Sequence, residues 1–303
     1  MKNVSSNEAN VALVKSIYAA LGRGDIPSIL AMCSPDIDWE VIGPAKDFPL
    51  LGARRGRAGV EKFFRDLPEV HTFTEFSPEN FIAGGDTVVV LGHYSFTFNR
   101  NSRHVATEWA HAFTIRDGKL AKFREYTDTA QMVEAYRMSG GGRLPTAGHG
   151  VTTANSIADG DAASATERNK ARIRRWVEDG WNKHNPALID EIYAADVRQH
   201  DANGMPVNNA AELKSYVAAL IAGFPDLEFT IESLAAEGDR VILRFGWRGS
   251  HRGQFANIPA TGKAAAATGL VEFRFAGDRV AEVWVTYDLF GILQQLGVIP
   301  AAA

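Results

Sequence analysis

The 303-residue chain shows the same order of secondary-structure signals twice, and this internal repeat constrains its fold more than any other feature. Between the two copies, residues 138–165 are rich in Gly, Ala, Ser and Thr and lack an apolar period, which is typical of a flexible linker. The sequence therefore predicts a first domain at residues 1–137 and a second at residues 166–303. Each stretch has the length of an ordinary single domain.

Each copy begins with helical patterns and ends with strand patterns. After the first helix, a short second helix is predicted near 27–33 and near 187–193. A brief strand (37–42 and 197–201) and a third helix (60–67 and 211–221) come next. Four runs then follow in which apolar side chains occupy alternate positions, as in a sheet with one covered face. Helices followed by strands predict an α+β fold with a helix layer on one sheet face. Insertions at 43–56 in the first copy and 252–263 in the second are expected near the mouth of a pocket.

The overall composition narrows the possible partners and the cellular location. A net charge of −4 argues against a nucleic-acid partner, which needs concentrated Lys and Arg. Cys33 is the one cysteine, so neither a disulfide within the chain nor a thiol-based zinc site can form. No spacing of His, Asp or Glu suggests another metal site, and no phosphate loop is present, so we expect no metal and no cofactor. With neither a signal peptide nor a membrane span recognisable, we expect a cytoplasmic protein without membrane contact.

Several short motifs in the second copy form a specific set. These motifs are Phe224-Pro225-Asp226, Gly238-Asp239-Arg240-Val241, Arg248 to Gly253, Ile258 to Lys263, and Asp288 leading into Leu293 to Gly297. Through them, this copy resembles the SnoaL-like polyketide cyclases of the nuclear transport factor 2-like superfamily, also called the cystatin-like α+β barrel.

Motifs of the first copy are less specific. This copy resembles a broader SnoaL-like group that overlaps the relatives of ketosteroid isomerase, through Pro35 to Glu40, Gly56-Arg57, Ile82 to Asp86 and Tyr126 to Asp128. The two resemblances imply two tandem cystatin-like α+β barrels. In each of them a curved, mostly antiparallel sheet and its helices would enclose an apolar pocket.

The resemblance of the second copy also implies an activity. A SnoaL-like cyclase removes a proton from an activated carbon of a hydrophobic, polyketide-like molecule and closes a ring by intramolecular aldol reaction, without a cofactor. Two alternatives remain open, namely an isomerase or epoxide hydrolase of the same fold and a non-catalytic small-ligand-binding protein. Epoxide hydrolases of this fold carry an Arg-x-Asp motif on a strand. The nearest pattern here is Glu272-x-Arg274, in which the acidic and the basic residue stand in the reverse order.

The second copy contributes two candidate catalytic residues and four candidate binding residues. Asp288 matches the family position of the general acid/base, although it also precedes a helical pattern and could serve as its N-cap. His251 continues the alternation of Phe245 and Trp247, which predicts that it faces the apolar side. The candidate substrate-binding residues of this copy are Gln199, His200, Trp247 and Phe273.

In the first copy, the candidate binding residues are Trp39, Trp109, His111, Tyr126 and Asp128. Asp128 is followed by Gln131 at capping-box spacing, which favours a structural role for its carboxylate. We therefore expect the better polar pocket in the second copy. Because members of the superfamily commonly pair sheet to sheet, we also expect the two copies to form a pseudo-dimer within the chain, with homo-oligomers as a further possibility.

Overall fold

A computed structural model describes residues 2–138, 159–201, 207–255 and 257–300. The chain divides into two compact units, one within residues 1–147 and one within 148–301. Residues 139–158 of the predicted linker lie outside the described part of the chain. Residues 159–165 of the predicted linker belong to a helix, because α5 already begins at Asp159.

The first unit contains four helices and six strands within its described residues. The helices are α1 (Lys2–Gly22), α2 (Ile26–Met32), α3 (Gly56–Val70) and α4 (Thr129–Arg137). The strands are β1 (Cys33–Val41), β2 (Gly52–Arg55), β3 (His71–Gly84), β4 (Thr87–Phe98), β5 (His104–Arg116) and β6 (Lys119–Thr127). They form one sheet in the order β2-β1-β6-β5-β4-β3, in which only β1 and β6 run parallel.

The second unit repeats this order. Its helices are α5 (Asp159–Arg175), α6 (Ile189–Ile192), α7 (Ala210–Gly223) and α8 (Leu289–Leu296), with a π-helical turn at Trp176–Trp181 and a 3-10 turn at Pro186–Leu188. Its strands are β7 (Tyr193–Asp201), β8 (Glu228–Glu237), β9 (Arg240–Ser250), β10 (Ala264–Ala276) and β11 (Arg279–Tyr287). The sheet order is β7-β11-β10-β9-β8, with β7 and β11 parallel.

The α+β class is confirmed in both units, and each sheet is open because its two edge strands do not pair with each other. The extra strand of the first unit, β2, comes from the insertion at 43–56 and pairs antiparallel with β1. Within the described residues, no helix combines the length and the apolar character that crossing a membrane would require.

Short polar side chains start several of the helices. Asp25, Asp128, Asn209 and Asp288 each accept a hydrogen bond from the backbone N–H three residues later, at the beginning of α2, α4, α7 and α8. Such bonds satisfy donors that a helix start leaves without a partner. On the inner face of each sheet, alternate strand residues point towards the helices. An apolar pocket therefore forms between the helices and this face of the sheet.

Candidate functional site

The first unit encloses a cavity of about 400 Å³ between its helices and the inner face of its sheet. Most of the wall is aromatic or aliphatic, and the insertion at 43–56 adds Phe48 and Leu50 to it. Among the described residues that line this cavity, Glu125 is the one carboxylate. Its side chain keeps 13% of its surface exposed.

Glu125 belongs to a continuous chain of polar contacts. It lies on β6 directly opposite His111 on β5, and Nε2 of His111 is 3.4 Å from Oε2 of the carboxylate. The hydroxyl of Tyr94, on β4, donates to Oε1 of Glu125 at 3.1 Å. On the other side of the imidazole, the hydroxyl of Tyr18, on α1, is 2.9 Å from Nδ1 of His111. Helix α1 and three consecutive strands thus bring two phenols, an imidazole and a carboxylate to one cavity.

The protonation states of the phenols follow from their environment. Burial raises the pKa of both Tyr18 and Tyr94 well above the usual value, and the nearby charge of Glu125 adds to this effect. Both hydroxyls therefore keep their protons at neutral pH. We assign the Tyr18 hydroxyl as donor to Nδ1 of His111, which leaves the hydrogen of a neutral ring on Nε2, facing Glu125.

His71 is a further titratable residue on the wall of this cavity. It is 5% exposed and stacks on Phe96, with the ring centroids 4.3 Å apart. Burial lowers its pKa to about 4, so the ring is neutral at pH 7. It extends the polar lining without adding a charge.

Of the residues proposed for the first copy, Trp39 and His111 line the cavity and three others do not. Trp109 lies behind His111 and stacks on its ring at 3.9 Å. Tyr126 is the neighbour of Glu125 on the same strand, and because successive side chains point to opposite faces, it points away from the cavity. Asp128 caps α4 through a 2.9 Å bond from the N–H of Gln131, and burial raises the pKa of its carboxyl.

The second unit has a smaller and far less polar cavity, of about 90 Å³. Three of the candidate binding residues, Gln199, Trp247 and Phe273, line it. The π-helical turn adds Trp176 and Trp181 to the wall. Gly180 is required in this turn, because a Cβ atom there would overlap the ring of Trp176. The described residues that line this cavity include no carboxylate, imidazole, ammonium or guanidinium group.

His251 is fully buried but lies outside the lining of this cavity. Strand β9 ends at Ser250, so the alternation that predicted its orientation stops one residue too early. Its ring stacks on Phe224, and its Nδ1 lies 3.1 Å from Oγ1 of Thr261 in the following hairpin. Burial lowers the pKa of this imidazole.

His200 and Asp288 are also outside the lining of the second cavity. His200 follows Gln199 on β7 and therefore faces the other side of the sheet, where it lies 3.2 Å from Glu282 and stacks on Trp284. Oδ1 of Asp288 accepts the N–H of Gly291 at 2.9 Å and caps α8. The expectation of a better polar pocket in the second copy is corrected, because the convergent polar groups are in the first.

Sequence reasoning missed Glu125 and Tyr18 as site residues. The available signal was strand parity. Glu125 is two residues after the buried Phe123 and therefore lies on the same face of β6, where a charged residue is unexpected. No signal in the sequence joined it to Tyr18, which lies on α1. Within the described residues, no group of three or more His, Cys, Asp or Glu side chains is placed to hold a metal ion.

Two family models match the chain, one in each unit. The model of the SnoaL-like polyketide cyclases matches residues 171–296, and the model of the SnoaL-like domain matches residues 14–123. Comparison with curated proteins gives no significant match.

Solved structures similar to part of the chain include an NTF2-like protein from Burkholderia xenovorans LB400, at 32% identity over 43% of this chain and 98% of that one, with a TM-score of 0.41. A candidate SnoaL-like polyketide cyclase from Jannaschia sp. CCS1 is 21% identical over 48% and 100%, with a TM-score of 0.43. AclR, a candidate hydroxylase from Streptomyces galilaeus, is 26% identical over 46% and 86%, with a TM-score of 0.41.

The two family matches fall on the two units that the fold repeats, and each unit has the mixed sheet and helix layer of the superfamily. The chain therefore belongs to the SnoaL-like family of the NTF2-like superfamily, as a tandem of two SnoaL-like domains.

Proposed function

We propose that the protein is an acid/base enzyme of the cyclase or isomerase type, and that its reaction takes place in the cavity of the first unit. The observation that carries this proposal is the Glu125 carboxylate, held by Tyr94 and beside His111 in a mostly apolar cavity of about 400 Å³. The substrate is a hydrophobic molecule with carbonyl groups, because the wall offers apolar surface and only a few polar contacts.

Glu125 is the proposed general base. Its carboxylate would take the proton from a carbon next to a carbonyl, and the electron pair left behind would move onto the carbonyl oxygen as an enolate. In a cyclisation, the enolate carbon attacks a second carbonyl of the same molecule, a C–C bond forms, and the new alkoxide takes up a proton. In an isomerisation, the proton instead returns to a different carbon. Both reactions share the first step.

Tyr94 and His111 support this step. Tyr94 holds the Glu125 carboxylate through its hydrogen bond. The Nε2–H assigned to His111 is a donor directly beside that carboxylate, so developing negative charge on an enolate would meet a donor that is already in place. Tyr18 would act as a positioning residue, because its hydroxyl holds the hydrogen of the imidazole on Nε2. The aromatic wall would exclude water and orient the substrate.

Deuterium exchange tests the proposal without knowledge of the natural substrate. The full chain is incubated in D₂O with a hydrophobic cyclic ketone such as 1-tetralone, and exchange at the carbon beside the carbonyl is followed by NMR. We expect protein-catalysed exchange that falls on the order of 10²–10⁴-fold in Glu125→Gln, since the amide cannot accept a proton at neutral pH. Glu134→Gln, on the exposed side of α4, is the matched control and should exchange like the unchanged protein. Equal exchange rates in Glu125→Gln and Glu134→Gln would eliminate Glu125 as the base.

We further propose that this chemistry needs no cofactor and takes place in the cytoplasm, and that residues 1–137 and 166–303 are the functional domains. The catalytic roles first expected for Asp288 and His251 have no support from the lining of the second cavity.

A further inference from the structure

The second cavity contains one polar group whose role the fold does not explain. Gln199 is 7% exposed and lines the cavity from β7. Its backbone N–H and carbonyl pair with Val207 at 2.8 and 3.3 Å, so its main chain is satisfied. No described residue forms a hydrogen bond with its side-chain carboxamide. A polar group that faces an apolar cavity needs a hydrogen-bond partner there, from water or from a ligand.

The rest of the wall defines what could serve as that partner. Trp176, Trp181, Phe245 and Trp247 surround the space with ring surface, and the described lining residues carry no charged group. A charged ligand would lose its hydration without gaining an opposite charge, so it would be rejected. A neutral molecule with a hydrocarbon body would gain apolar contacts instead.

The size of the cavity restricts the ligand further. At about 90 Å³, it is less than a quarter of the first cavity, which has about 400 Å³. An apolar protein cavity of about 150 Å³ holds one benzene molecule, so the second cavity suits a compact molecule somewhat smaller than benzene. A polycyclic polyketide does not fit this space.

We propose that the second unit is a binding site for a small neutral molecule with a hydrocarbon body and one carbonyl or hydroxyl oxygen, which the Gln199 carboxamide hydrogen-bonds. This site carries no acid/base chemistry, and it is separate from the reaction proposed for the first unit. The two copies would thus have diverged, one towards proton transfer and the other towards recognition of a small neutral ligand.

A pair of nearly isosteric probes tests the hydrogen bond directly. Cyclobutanone and methylenecyclobutane differ in an oxygen against a CH₂ group, and cyclobutanecarboxylate adds a charge. We expect cyclobutanone to shift the side-chain NH₂ resonances of Gln199 in ¹H–¹⁵N spectra of the full chain, in a saturable manner. Methylenecyclobutane should perturb the indole N–H of Trp247 but not the carboxamide, and the carboxylate should perturb neither.

Variants then measure how much the carboxamide contributes. Gln199→Leu keeps the approximate volume and removes the donor, so it should weaken cyclobutanone binding about 5- to 10-fold and leave methylenecyclobutane binding unchanged or tighter. Gln199→Met serves the same purpose if the leucine variant does not fold. The proposal is overturned if the ketone and the alkene bind the unchanged protein equally well, if none of the probes perturbs the resonances of this cavity, or if the carboxylate binds as tightly as the ketone. Binding is read at Gln199 and Trp247 in the unchanged protein and at Trp247 in the variants, so the result is independent of whether Glu125 catalyses deuterium exchange.

Discussion

The neutral, buried His71 predicts a specific dependence of stability on pH. The folded-state pKa of about 4 lies below the usual value of 6.5, so the unfolded chain binds a proton at this site at pH values where the folded chain does not. The stabilisation is fully present above pH 6.5 and is lost as the pH falls towards 4. From the two pKa values, the loss is about 2 kcal/mol at pH 5 and about 3 kcal/mol near pH 4.

His71→Phe removes the titrating group and retains a ring against Phe73 and Phe96, whose centroids are 4.8 and 4.3 Å from that of the imidazole. The free energy of unfolding is measured by urea titration from pH 8 to pH 5, with tryptophan fluorescence as the signal. At pH 8 the difference between variant and unchanged protein reports packing alone, which serves as an internal control. We expect the variant to gain about 2 kcal/mol relative to the unchanged protein between pH 8 and pH 5. A difference that stays constant over this range would refute the buried, neutral state of His71.

Three further predictions concern the second unit and the assembly. Asp288→Asn should melt like the unchanged protein, because Asn is an equally good N-cap. Asp288→Ala should lose about 0.5–2 kcal/mol of unfolding free energy, measured by urea titration, and equal losses in both variants would contradict the capping role. Gly180→Ala should lower the stability by about 1–3 kcal/mol, because the added methyl group would overlap the ring of Trp176 in the π-helical turn; an unchanged unfolding midpoint would contradict this close packing. The pairing of the two copies sheet to sheet remains a prediction. We expect chemical cross-links between outward-facing sheet residues of the two copies in a monomeric fraction, and the absence of such cross-links would count against the pairing.

The fold could be predicted because its evidence is local and occurs twice. Alternation in β4, β5, β9 and β10 and the helical spacing that precedes the strands each depend on near neighbours in sequence. The short helix expected near 27–33 is found as α2, with Asp25 as its cap. The start of α5 at Asp159 could not be read, because the residues before Thr166 are small and polar and carry no apolar stripe.

The site could be predicted only in part, for reasons that particular residues make clear. Strand alternation places His111, Trp247 and Phe273 on the covered faces of the sheets, and these three residues line the cavities, as does Trp39. The alternation fails at His251 because the strand ends before it.

The polar contacts of the first cavity could not be found from the sequence. Tyr18 reaches His111 and Tyr94 reaches Glu125 from other segments, which only the folded sheet and helix layer bring together. Resemblance to the family favours Asp288 and therefore the second unit. The burial and contacts of Glu125 instead favour the first unit.

The central claim is that proton transfer takes place in the first unit, and a side-by-side comparison of Glu125→Gln and Asp288→Asn tests it most directly. Both substitutions replace a carboxylate by its amide, and each amide can still accept the hydrogen bond that the carboxylate accepts from Tyr94 or from Gly291. The rate of ketone deuterium exchange is measured for both variants under identical conditions. Our account predicts a loss on the order of 10²–10⁴-fold in Glu125→Gln and full activity in Asp288→Asn. Full activity in Glu125→Gln together with a comparable loss in Asp288→Asn would contradict it and assign the reaction to the second unit.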